Sequence, residues 1–287
     1  MVTMGISRTN HKFIDLYNSS GDRIRGELRY PERLKESPVI VICHSFMAFK
    51  DWGFFPYVAD RLTEHDYVTL TFNFSHNGVE GDNDRITQFD RFARNTYSKE
   101  LGDLRGVVDA VCTGEVGGGI IDRAKIILLG HSRGGGISIL QTAEDERVKA
   151  LVSWSAIGKF DRWTGHQKKQ WRAQQYLPLA KDPGVSPLRL GIGLLNDIEQ
   201  HLERFDLRRA ASRISVPWLL LHGSADIIVP PDETKILWAS STSSLTELKL
   251  LDSVGHLYNA GTQNEDNYRT LDSIINITLM WLKEIIK

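Results

Sequence analysis

Short apolar runs alternate along this chain with longer amphipathic stretches, and few folds satisfy such a rhythm. Residues 38–43 (PVIVIC), 67–74 (YVTLTFNF), 125–129 (KIILL), 148–153 (VKALVS), 217–221 (PWLLL) and 245–251 (LTELKLL) read as strands. Helical patterns fall between or after them at 55–63, 98–111, 134–143, 233–240 and 268–287. Runs that stay apolar at successive positions bury both faces of a strand. The alternation therefore predicts an α/β fold with a mostly parallel central sheet and helices on both faces. Segments 11–19 and 22–30 meet at Ser20-Gly21-Asp22 and predict an antiparallel opening hairpin.

One stretch breaks the rhythm. Between 158 and 212 no strand is evident, although the stretch carries Phe160, Trp163, Trp171, Tyr176 and a helix-like run at 190–207. A structureless insertion of that length inside a compact domain is unusual. It is expected to form a helical cap or lid on a core made of 1–157 and 213–287, placed in a βα connection where α/β sheets gather their sites.

The strand at 125–129 runs into Gly130-His131-Ser132-Arg133-Gly134-Gly135, and a helical pattern follows at once. A G-x-S-x-G pattern between strand and helix is a nucleophile elbow, with small residues where a sharp turn has no room for side chains. Serine needs a base, and the base needs an orienting carboxylate. Nine histidines are present. His256 follows the last strand in a loop containing Gly255, and Asp226 follows the strand at 217–221, ahead of Val229-Pro230. The order Ser132, Asp226, His256 predicts a catalytic triad. A solvated loop Asp226 and a surface His256 are the plainer alternatives for each residue taken singly.

These pieces, GHSRGG (130–135), HGSADIIVP (222–230) and SVGHLY (253–258), resemble the α/β-hydrolase superfamily. The resemblance is to its dienelactone-hydrolase-like and feruloyl-esterase-like branch. It implies an α/β-hydrolase fold and a serine hydrolase that cleaves a carboxylic ester through an acyl-enzyme, without metal or organic cofactor. It also implies backbone N–H donors to the oxyanion from Arg133 and Phe46. Where the branch reads His-Gly-Phe this chain reads His44-Ser45-Phe46, so the extra Cβ leaves Met47 as an alternative donor. FNFSHNG (72–78) replaces an arginine-bearing loop. Thioesterase, lactone hydrolase and acyl-peptidase activities use the same three groups, and a non-catalytic ligand-binding relative shares the fold.

Met47, Trp163, Trp171 and Tyr176 are candidate substrate-pocket residues, and Arg162, Lys168, Lys169 and Arg172 are candidate contacts for an anionic substrate end. The same aromatics also suit the insertion's own core, and the cations its solvated face. Weaker motifs fall away. Gly117-Gly118-Gly119 precedes a strand, Asp82-Asn83-Asp84 lacks the rest of a calcium loop, and His222 and Cys43 read as structural.

Composition narrows the partners. With 35 Lys+Arg against 36 Asp+Glu, no basic excess favours nucleic acid or an anionic membrane. Two cysteines build no disulfide framework, and neither a signal peptide nor a long apolar span is visible. The expectation is a cytoplasmic protein acting on a small-molecule ester.

Overall fold

A computed structural model describes residues 9–32, 36–81, 85–179, 188–260 and 268–286. The acidic run at 82–84 lies outside the described residues. Eight strands form the main sheet: β1 (Thr9–Tyr17), β2 (Arg23–Pro31), β3 (Ser37–Cys43), β4 (Val68–Phe72), β5 (Ile121–His131), β6 (Val148–Trp154), β9 (Trp218–Gly223) and β10 (Thr246–Leu251). Their order is β1-β2-β4-β3-β5-β6-β9-β10. The β1–β2 hairpin and the β2–β4 pair are antiparallel, and every other pairing is parallel.

Side-chain alternation along the central strands divides the core in two. Val39, Val41, Ile126, Leu128, Leu151 and Leu220 face one cluster. Ile40, Ile42, Ile127, Leu129, Val152 and Leu221 face the other. The second face is covered by α1 (Phe55–Thr63) and α9 (Tyr268–Ile285). In α9 the buried Leu271, Ile274, Ile275, Thr278, Leu279 and Leu282 recur at helical spacing. The first face carries α3 (Tyr97–Thr113) and α4 (Arg133–Glu144). Thr96 starts α3 by accepting a hydrogen bond from Lys99 N–H, and Gly114, at φ 80°, ends it in the left-handed conformation. Among the described residues no helix is long and apolar enough to cross a membrane.

Between β6 and β9 come α5 (Gly165–Gln174), β7 (Tyr176–Pro178), β8 (Arg189–Gly191), α6 (Ile192–Gln200) and α7 (Leu207–Arg213). The expectation of no strand here is corrected, because β7 and β8 pair antiparallel. Three residues are too few to show a period of two, so a sequence pattern does not reveal them. The helix-like run at 190–207 likewise divides into β8, α6 and a turn. A five-residue helix, α2 (Phe89–Ala93), and α8 (Pro231–Ser240) complete the described elements.

The strand order reverses at β3, whose neighbours β4 and β5 both follow it in sequence. A crevice at the carboxyl ends of the strands is expected at such a switch point. Residues 44–46, 132–133, 226 and 256 all lie just past carboxyl ends, those of β3, β5, β9 and β10.

Candidate active site

Ser132 occupies the single step between β5 and α4, at φ 56° and ψ −117°. A non-glycine residue there is strained by about 1–3 kcal/mol and persists only where surrounding structure holds it. Its N–H donates to Trp154 O at 2.9 Å, and its own carbonyl accepts from Ile157 N–H at 3.1 Å. The elbow also needs Gly134, since a Cβ there would stand 2.3 Å from the Cys43 carbonyl oxygen. This contact presses the α4 N-terminus against the end of β3, and so against the 44–46 loop.

The loops after β9 and β10 are joined through their backbones. Ala225 N–H donates to Val254 O at 3.0 Å. Gly223 allows that crossing, because a Cβ on it would lie 2.0 Å from the same carbonyl. The outcome is His256 Nδ1–H donating to Asp226 Oδ2 at 2.7 Å, which leaves Nε2 as the free acceptor of the ring. Asp226 Oδ1 accepts from the N–H groups of Ile228 and Val229, each at 2.9 Å. Burial pushes the Asp226 carboxyl up, but contacts from His222, His256 and Val229 N–H outweigh it and hold it well below the usual carboxylate range.

Two histidines support this pair from behind. His222 Nε2 stands 2.9 Å from Val229 O and 3.2 Å from Asp226 Oδ2, so it carries the proton and its Nδ1 accepts from the Thr234 hydroxyl. His131, beside the serine, donates from Nε2 to His256 O at 3.0 Å, tying the elbow to the histidine loop. Burial pushes His131 down to about 3, so it stays neutral.

Ser132 and His256 border one cavity of about 370 Å³, together with Ser45, Phe46, Trp52, Tyr97, Arg133, Ile157, Arg162, Trp163, Ile228, Val229 and Leu257. His256 Nδ1 bonds Asp226, and no hydrogen bond joins the serine hydroxyl to the imidazole across this cavity. Arg133 is the first residue of α4, so its N–H has no acceptor within the helix. Phe46 borders the cavity at the other loop. That loop is fixed by His44, whose Nδ1–H donates to Ser45 O at 2.9 Å while its Nε2 accepts from Phe74 N–H at 3.2 Å. Burial pushes His44 down to about 4, which keeps it neutral.

Of the four pocket candidates, Trp163 lines the cavity and the others do not, among the described residues. Trp171 is fully buried behind it, with ring centroids 5.1 Å apart. Tyr176 lies on β7 against Arg189, in a separate cleft. Met47, at φ 60°, is turned outward and 43% exposed. Of the cations, Arg162 reaches the cavity, whereas Lys168 pairs with Asp161 and Arg172 with Glu199. Cys43 is sealed, its thiol pushed up to about 12 by burial. The side chains of Arg133, Tyr97 and Trp52 were not anticipated; the one available signal was a charged residue inside the elbow motif.

Comparison with known proteins agrees with this architecture. The profile of a family described as "alpha/beta hydrolase family" matches residues 40–266. An uncharacterised 31.7 kDa protein from the traX-finO intergenic region of Escherichia coli is 25% identical over 251 residues, covering 77% of this chain and 83% of its own. Among solved structures, DcsB in complex with its substrate analogue superimposes with a TM-score of 0.72 at 18% identity, covering 96% of this chain and 99% of its own. Est1E from Butyrivibrio proteoclasticus with ferulic acid bound gives 0.70 at 18% identity, covering 95% and 99%.

Proposed function

Because this chain belongs to the alpha/beta hydrolase family, we propose that it is a serine hydrolase cleaving a carboxylic ester through an acyl-enzyme. The observation that carries the proposal is the shared cavity. Ser132 at the elbow and His256 both border it, and His256 is already held by Asp226 at 2.7 Å.

Ser132 Oγ attacks the ester carbonyl while His256 Nε2 takes the hydroxyl proton. Asp226, ionised and fixed by backbone N–H groups, keeps the imidazole in the tautomer with its proton on Nδ1 and stabilises the imidazolium that forms. The developing oxyanion is received by the N–H groups of Arg133 and Phe46, a donor of this kind contributing about 3–4 kcal/mol. His256 returns the proton to the leaving alcohol, and water then releases the acid by the same route in reverse.

Residues 158–212 serve as a cap on the core of 1–157 and 213–287, and Arg162 and Trp163 from it wall the cavity. Phe46, Trp52 and Trp163 give those walls an aromatic character that suits a flat or apolar substrate portion. Two free thiols, Cys43 and Cys112, are consistent with work in the cytoplasm.

The test is stopped-flow release of p-nitrophenol from p-nitrophenyl acetate. A burst equal in amplitude to the enzyme concentration, absent in Ser132→Ala, is the expected result. Hydrolysis by Ser132→Ala at the wild-type rate would refute the proposal.

A further inference from the structure

Arg133 follows the proposed nucleophile directly and borders the same cavity. The residue is 7% exposed. Its guanidinium carbon lies 3.7 Å from the centroid of the Phe46 ring and 5.2 Å from that of Tyr97. Nη1 donates to Oε1 of buried Glu100 at 3.2 Å, and Asn95 Nδ2 donates to that same oxygen at 2.6 Å. The cation is thus stacked and anchored before any substrate arrives.

A guanidinium carries five N–H donors in one plane. Nε and Nη2 of Arg133 have no acceptor among the described residues, yet neither is sealed from solvent. The side chain is 8% exposed, and the residue borders the cavity. The second cation on the wall, Arg162, is held from outside the lining by Glu233 at 2.7 Å. No aspartate or glutamate lines the cavity among the described residues, and most of the remaining wall is apolar. A rigid fork of charged donors left open in such a place is matched by a carboxylate, which accepts two parallel charge-assisted hydrogen bonds.

We propose that substrates of this site carry a carboxylate besides the scissile ester, as a half-ester of a dicarboxylic acid does, and that the Arg133 side chain selects them. The inference rests on the serine-esterase proposal above and goes beyond it by naming the substrate class.

The test measures methanol release from methyl hydrogen succinate, glutarate and adipate against the corresponding dimethyl esters. At least one half-ester is expected to exceed its diester in kcat/KM by about 10- to 100-fold, mostly through KM. In Arg133→Met combined with Glu100→Gln, which strands no buried carboxylate, that ratio should collapse toward one. Arg133→Lys keeps the charge without the fork and should retain part of it. Using the ratio cancels any loss common to both esters through the adjoining oxyanion loop. A measurement on the unaltered enzyme stands beside the variants: adipate should inhibit p-nitrophenyl butyrate hydrolysis at least about tenfold more tightly than hexanoate. Turnover of diesters with half-esters no better, or a ratio unchanged in the variants, overturns this inference and leaves the esterase proposal standing. Turnover of neither, with no burst from p-nitrophenyl acetate, overturns both.

Discussion

At Ser132 a positive φ is held by backbone hydrogen bonds to Trp154, Ile157 and Gly136 and by glycine packing, so the hydroxyl is presented by strain the surrounding structure stores. Asp226 is the other residue whose state is set in advance. Four groups converge on its carboxylate, the N–H groups of Ile228 and Val229 and the rings of His222 and His256. Its depressed pKa keeps it charged throughout the neutral range, so this carboxylate is expected to contribute no acid limb to activity near neutrality. Asp226→Asn leaves the shape nearly intact but removes the charge that balances the imidazolium. A fall in kcat of about 10⁴-fold on p-nitrophenyl butyrate is expected. A fall of less than about tenfold would place the orienting carboxylate elsewhere.

Among the elements, the β9 and β10 loops must cross closely for Asp226 and His256 to meet, and Gly223 sets that distance. Gly223→Ala drives a Cβ into the Val254 carbonyl. Overpacking of this kind costs about 1–3 kcal/mol or more, so a Tm lowered by several degrees together with reduced kcat is expected. A fully active, equally stable variant would contradict the crossing described here. The loop after β4 is held differently. Asp103, with no exposure, accepts from Asn18 Nδ2 at 2.6 Å and Ser75 N–H at 2.7 Å. Burial pushes its carboxyl from 3.8 up to about 7. The folded chain therefore keeps a proton that the unfolded chain releases. This group favours the fold fully below about pH 4, and that contribution is lost as the pH rises toward about 7. In Asp103→Asn the change in Tm between about pH 5 and 7 should be shallower than in wild type; identical profiles would show that Asp103 does not titrate in this window.

The elements that position the site were also the ones most legible from sequence. The 55–63 helix falls where expected, and the central strands other than β5 agree within about two residues, because burial on both faces writes continuous apolar runs. β5 is longer than the run at 125–129, since its first half, from Ile121, includes exposed polar residues that carry no such signal. The chain order of Ser132, Asp226 and His256 was readable, and the loops that carry them do converge. What escaped was tertiary: that Tyr176 and Met47 turn away, that Trp171 only backs Trp163, and that Arg133 folds over Phe46. None of these is encoded in spacing along one element.

For the molecule as a whole, one apolar cluster runs from the sheet into the 158–212 segment, taking in Phe160, Trp171, Leu194, Leu195 and Phe205. These described residues join the proposed cap to the core on that face. Trp171→Ala removes a fully buried ring and the support behind Trp163, and should cost about 3–5 kcal/mol. A raised KM for aryl esters is expected alongside the lower Tm; an unchanged KM would indicate that Trp163 holds its place on the cavity wall without that support. The account as a whole stands on one hydroxyl. Treating the full-length protein with a fluorophosphonate and mapping the adduct by peptide mass spectrometry should give a single modification on the peptide containing Ser132, absent in His256→Ala at matched exposure. No adduct, or an adduct on another residue, would contradict it.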